Sequence, residues 1–474
     1  MTNSPVCTTT GRSRREVLRA GLTGFTGMSL ATVNRLRAAA ADDATNPSEK
    51  TAVILVWLRG GCSHLDTFDP KPDAPSEYRG PFLPIHTRVP GMQLTELLPR
   101  LAQCSHQYSL LRSVAHDAGG HPAGSLRVLS GDPDRADKPQ PVLPDWMSIA
   151  SWQRHNSGRL IPGYVAVNPV DRYDSFVIAG SSYLGPAWEP FRVTGDPAHP
   201  DFQVPNIGMN NSQQANRLLQ RSQLSARLDH LRRDLDQSGV MEAVDRFDSQ
   251  ALNLLTSPEA REAFDLSREP DSMRDHYGRH QWGQQCLMAR RLVEAGVDVV
   301  ATEFDGPLCG RVANWDDHAV NHHVFDAISY RAPFFDQAVS TLINDVYDRG
   351  LAKRVLVVVT GEFGRTPRIS YVASSGGGVA SGAKGTIQPG RDHWPRANTM
   401  LFAGGGIRTG QVIGATDRVG EDAIERRVSP QDFLATIYRH LGIDYENTSI
   451  VNFSGRPVPI LTNGRAIAEL GRVS

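Results

Sequence analysis

Three apolar runs constrain this chain more than any other feature. Val53-Ile-Leu-Val-Trp-Leu58, Arg354 to Thr360 and Thr399 to Ala403 are apolar throughout their interiors, and each closes on glycine: Gly60-Gly61, Gly361 and Gly404-Gly405-Gly406. Runs this short and this uniformly apolar suit strands covered on both sides, as in parallel sheets. Helical patterns lie among them. One covers 281–295, stops at Gly296 and leads into a strand at 297–304; another covers 333–349 and stops at Gly350. A third starts at Ser429-Pro430-Gln431-Asp432, a variant capping box, and stops at Gly442. This alternation predicts an α/β domain: a mostly parallel central sheet with helices on both faces.

The remaining segments are less regular. Residues 68–92 carry six prolines and read as a long ordered loop. Leu94, Leu97, Leu98 and Leu101 fall at helical spacing and predict helix within 93–130. The Pro/Gly-rich stretch 140–207 reads as short strands and loops. Leu224, Leu228, Leu231 and Leu235 mark one helical face, so a helical insert is expected over about 209–292, its leucines serving as core.

The N-terminus reads as an address. Ser13-Arg-Arg-Glu-Val-Leu-Arg19 places a twin arginine before a weakly apolar stretch, Val17 to Val33, and Ala38 to Ala41 offers a cleavage site. This pattern predicts a twin-arginine signal at 1–41, a polar linker at 42–50 and a folded domain at 51–474. The implied partner is the twin-arginine export machinery, and the implied location is periplasmic or extracellular. Cys62, Cys104, Cys286 and Cys309 would then meet an oxidising compartment, where two disulfides are possible but spacing cannot pair them.

Charge and composition exclude other classes. With 50 Lys+Arg against 51 Asp+Glu there is no basic field, so no nucleic-acid partner is expected. No apolar run reaches the roughly 18 residues of a membrane span, so the chain is not expected to be an integral membrane protein.

In an open parallel sheet, sites form beyond the carboxyl ends of the strands. Polar residues gather there. Gly60 to Asp69 contains His64 and Asp66; Trp315-Asp316-Asp317-His318 is followed by His322 and His323; Gly361-Glu362-Phe363-Gly364-Arg365 follows the second run; Arg391-Asp392-His393-Trp394 precedes the third. A separate segment holds His116 and His121. Imidazoles and carboxylates converging from several strand ends form a ligand set for a divalent ion, Zn²⁺, Mn²⁺, Ca²⁺ or Mg²⁺. A solvated polar surface is the bland alternative.

Val56-Trp-Leu-Arg-Gly-Gly-Cys-Ser-His-Leu-Asp-Thr-Phe-Asp-Pro-Lys-Pro72, Thr360-Gly-Glu-Phe-Gly-Arg-Thr-Pro-Arg368, Gly390-Arg-Asp-His-Trp-Pro395 and Gly414-Ala-Thr-Asp417 resemble the motifs of the domain-of-unknown-function 1501 family, over about residues 50–445. That family resembles the alkaline phosphatase and sulfatase superfamily in fold, where metal sites bind tetrahedral oxyanions and a nucleophile starts a helix. By this resemblance His121, nine residues before Ser130-Gly131, stands at the nucleophile's position. Phe363 replaces a ligand of the superfamily pattern, and no cysteine lies in the Cys-x-Pro/Ala-x-Arg motif of formylglycine sulfatases.

The resemblance therefore implies a metal-dependent hydrolase of small-molecule or polysaccharide phosphate or sulfate esters with a divergent site. Asp66, Asp316, His318, Glu362, Asp392 and His393 would hold the metal, His121 would serve as nucleophile, ligand or general acid, and Arg365 or Arg391 would hold the oxyanion. The competing reading is a non-catalytic binding or assembly protein on the same scaffold, with His121 a structural helix-turn residue. A third, an exported redox partner, has no haem, iron–sulfur or dinucleotide motif behind it.

Overall fold

The computed structural model describes residues 50–156, 159–204, 257–306, 308, 314–378 and 380–471. The signal-like segment and much of the expected insert lie outside the described residues, as does Cys309.

Eight strands form the central sheet: β1 Ala52–Trp57, β2 Tyr108–Val114, β3 Tyr164–Val167, β4 Phe191–Val193, β5 Val299–Glu303, β6 Val355–Thr360, β7 Asn398–Gly404 and β8 Gln411–Ile413. Their order across the sheet is β8-β2-β7-β6-β1-β5-β3-β4. β1 pairs in parallel with β5 and β6, β5 with β3, β3 with β4, and β8 with β2. β7 runs against both its neighbours, β6 and β2. The fold is thus the expected α/β architecture with one reversed strand. β1 and β6 are buried at every position, as their uninterrupted apolar sequence requires.

Alternate residues of each strand feed two cores. Ile54, Val56, Val300, Val357 and Val359 face the layer of α3 (Gln281–Glu294) and α4 (Val324–Asp348). Val53, Leu55, Trp57, Val358 and Phe402 face the layer of α1 (His121–Ser130), α2 (Trp146–Gln153) and α5 (Pro430–Leu441). Helices therefore cover both faces. The α5 capping box is present, with Ser429 and Asp432 each bonding the other's backbone N–H.

Two local expectations change. The helix predicted within 93–130 begins with strand Gln93–Thr95 and a short helix Pro99–Gln103, then becomes β2 and α1. β2 hid because Ser109, Arg112 and Ser113 interrupt its apolar pattern. In place they bond loop carbonyls: Ser109 Oγ donates to Arg408 O, Ser113 Oγ to Arg426 O, and Arg112 to Phe68 O and Gln93 O. The second change is α4, which starts at Val324 and carries Pro333 inside it. Cys62, Cys104 and Cys286 are buried free thiols rather than disulfide partners, and burial pushes the first two up to about 12.

β1, β2, β5 and β6 end at one edge of the sheet. Because β7 runs the other way, the residues preceding it, 391–397, arrive at that same edge.

Candidate metal centre

Four side chains meet at this edge. His121 starts α1, Asp316 and His318 follow β5, and His393 precedes β7. Their ligand atoms all lie within 4.8 Å of one another. Three imidazole Nε2 atoms surround a single carboxylate oxygen, Asp316 Oδ1: His318 at 3.0 Å, His121 at 3.2 Å and His393 at 3.5 Å. His318 Nε2 and His393 Nε2 are 2.8 Å apart.

Each ring is held from behind by its other nitrogen. His121 Nδ1 lies 2.6 Å from Glu362 Oε1, His318 Nδ1 2.7 Å from Asp392 Oδ1, and His393 Nδ1 2.7 Å from the Gly119 carbonyl. A carboxylate and a carbonyl only accept, so each Nδ1 carries a proton, and a ring in its neutral form then has its Nε2 lone pair free for the cluster. Outer acceptors of this kind orient histidines that bind metals. Glu362 Oε1 is itself fixed by the Gly60 N–H at 3.0 Å, and His116 Nε2 bonds the Glu362 carbonyl at 2.7 Å.

The electrostatics are one-sided. Asp316, Glu362 and Asp392 gather here, and the Arg365 guanidinium pairs with the first, its Nη2 2.7 Å from Asp316 Oδ1. Burial alone would raise the Asp316 carboxyl, but His121, His318, His393 and Arg365 outweigh it and hold the group far below the usual carboxylate range. Burial likewise works against the His318 cation, yet Asp316 and Asp392 push that imidazole up to about 9. Burial also opposes charge on His121, which Asp316 and Glu362 nonetheless raise. Burial lowers His393. Without a metal, protons must supply the positive charge that this arrangement demands.

Of the residues expected from the sequence, the structure thus brings together His121, Asp316, His318 and His393. Glu362 and Asp392 stand behind histidines instead of beside the other ligand atoms. Asp66 is elsewhere: fully buried, it accepts from Arg391 Nε at 2.7 Å and Ser63 Oγ at 2.5 Å. Arg391 is equally buried and donates to Asp66, Tyr78 O, Thr366 O and Pro367 O. Its fork is occupied by the protein and is not presented to a ligand. Arg365 is buried too, spent on Gly60 O, Gly61 O, Arg391 O and Asp316. His322 faces Asp317 at 3.6 Å, and His64 bonds Gly420 O at 2.8 Å.

Gly60 and Gly61 explain how β1 contributes without a ligand. Both have positive φ, +100° and +79°, and a Cβ on Gly60 would lie 2.5 Å from Asp316 N. Glycine lets the 316–318 segment close over the strand end.

Two neighbours carried no sequence signal. Glu303, the last residue of β5, is buried, with Oε1 unbonded among the described residues and Arg59 Nη1 3.8 Å from Oε2. Burial pushes its carboxyl well above the usual range, against the pull of Arg59. Tyr173, from a hairpin of two-residue strands (Arg172–Tyr173 and Phe176–Val177), stacks on His121 with centroids 4.0 Å apart and planes 12° apart. Burial, then the charges of Asp316 and Glu362, raise its hydroxyl well above the ordinary value.

The cluster is not sealed. The His318 and His393 side chains are 23% exposed and that of Asp316 19%. Among the described residues no helix is long and apolar enough to cross a membrane.

The family described as "Protein of unknown function (DUF1501)" matches residues 50–470, and the chain belongs to it. No curated protein matches the sequence. Among solved structures it is similar to the PsFucS1 sulfatase from Pseudoalteromonas sp., at 12% identity, covering 88% of this chain and 72% of that one with a TM-score of 0.35. It is also similar to the lipoteichoic acid synthase LtaP from Listeria monocytogenes, at 9% identity, 87% and 74% coverage and a TM-score of 0.34. A third is the phosphonate monoester hydrolase SpPMH from Silicibacter pomeroyi, at 12% identity, 90% and 77% coverage and a TM-score of 0.33.

Proposed function

We propose that this DUF1501 chain is an exported, metal-dependent hydrolase of phosphate or sulfate esters. One observation carries the metal: three Nδ1-anchored imidazoles and a carboxylate bring four ligand atoms within 4.8 Å of one another at a part-exposed site. The donor set fits a divalent transition ion. His121 Nε2 is buried and turned to Asp316 Oδ1 at 3.2 Å, and three nitrogens with one oxygen suit Zn²⁺ or Mn²⁺ better than the oxygen-seeking Ca²⁺ and Mg²⁺. His121, Asp316, His318 and His393 would hold the ion, which supplies Lewis acidity toward an ester oxygen when bound.

The chain's own groups narrow the chemistry. Both nitrogens of His121 are committed, Nδ1 to Glu362 and Nε2 to the cluster, so His121 is a ligand and the attacking group is water. Glu362 positions His121 through Oε1 and keeps Oε2 buried and unbonded among the described residues. Asp392, on the rim, fixes the tautomer of His318. The ester class rests on the motif resemblance, and export rests on the twin-arginine segment.

The test is metal analysis of the full chain from an exporting host, followed by aryl phosphate and aryl sulfate hydrolysis with and without His121→Ala. One metal per chain with activity abolished in the variant supports the hydrolase. Metal-loaded protein inert toward both esters supports the second reading, a metal-holding binding protein, which the lack of a free nucleophile on His121 favours.

A further inference from the structure

We propose that Tyr173 is the ligand-contacting residue of this centre, its hydroxyl donating a hydrogen bond to an oxygen of a tetrahedral oxyanion held at the histidine–aspartate cluster. The proposal rests on the metal-site reading above and adds the group that recognises the ligand.

Tyr173 is sandwiched. One ring face lies on His121, and the Arg59 guanidinium carbon sits 4.6 Å from the ring centroid. Arg59 in turn holds Asp305 at 3.0 Å and Asp174, in the turn of the same hairpin, at 3.6 Å. These contacts fix the ring, and a phenylalanine would satisfy all of them. The hydroxyl is what they leave unexplained.

Tyr173 is only 7% exposed, yet its hydroxyl makes no hydrogen bond among the described residues. Buried tyrosine hydroxyls ordinarily find a partner. Because the ring is stacked on His121, Tyr173 lies against one of the four proposed ligands, within reach of what the cluster would bind. The guanidiniums there cannot play the same part. Arg365 is spent on carbonyls and Asp316, and Arg59 on carboxylates.

The experiment uses the full chain, zinc-loaded and metal-free, with inorganic phosphate as probe and calorimetry as readout. Tyr173→Phe keeps the stack and removes the donor. It should bind phosphate about ten-fold more weakly, with zinc affinity and melting temperature unchanged. Tyr173→Leu, which also removes the stack, should weaken zinc binding as well. Equal phosphate affinity in wild type and Tyr173→Phe overturns the proposal, as does wild-type protein that binds phosphate in neither state. Wild type that takes up no zinc sinks the metal reading alone. The comparison then runs on the metal-free protein at pH 6, and a ten-fold loss in Tyr173→Phe still upholds Tyr173.

Discussion

His318 Nε2 faces His393 Nε2 across 2.8 Å, while the Nδ1 atoms of both rings point away toward acceptors. Two neutral rings in this pose would oppose lone pairs at hydrogen-bond distance. A shared cation or a proton resolves the conflict, and the reversed direction of β7 is what brings His393 to the site.

The outer acceptors should matter nearly as much as the ligands. Asp392→Asn and Glu362→Gln remove the charge that fixes His318 and His121 without changing shape. Each should weaken zinc binding by about 10–100-fold, measured by competition with a chromogenic chelator.

Arg391 should behave as structure. Arg391→Met strands the Asp66 carboxylate with both groups fully buried, and should cost about 3–5 kcal/mol in urea unfolding. A variant that unfolds at the wild-type urea midpoint would contradict the burial of this pair.

How much of the fold and the site was legible in the sequence varies by residue. β1 and β6 announced themselves because a strand covered on both faces has no polar position. β2 did not, because Ser109, Arg112 and Ser113 bond to loops that only the tertiary structure brings alongside. Asp316, His318 and His393 could be nominated from their place at strand ends, and His121 from the motif resemblance. Sequence could not say that Asp66 would find Arg391, or that Glu362 and Asp392 would turn to imidazole Nδ1 atoms, because partner choice depends on long-range geometry. Tyr173 and Glu303 were silent: a two-residue strand has no period, and one acid at a strand end is ordinary.

Gly60→Ala should damage the centre from the strand side. Its Cβ would meet Asp316 N at 2.5 Å and the residue would be strained at φ +100°. The expected result is at least a ten-fold loss of zinc affinity together with a lower melting temperature, read by metal titration and thermal unfolding.

His318 sets the pH dependence. Its folded-state value, about 9, lies above the ordinary 6.5, so its contribution to the stability of metal-free protein is complete below about pH 6.5 and lost as pH rises through 9. Zinc replaces the proton, so zinc affinity should rise over the same window. Urea midpoints at pH 6 and pH 9.5 check this: the metal-free midpoint should fall and the zinc-bound midpoint should hold. His318→Ala should flatten the metal-free difference.

The most direct measurement is the metal content of the full chain by elemental mass spectrometry, with Asp316→Asn and His318→Ala beside it. One transition-metal ion per wild-type chain, lost in both variants and accompanied by a fall in melting temperature on chelation, is the predicted result. Wild-type protein that holds no metal, and whose melting temperature neither zinc nor manganese raises, would contradict a metal centre at His121, Asp316, His318 and His393.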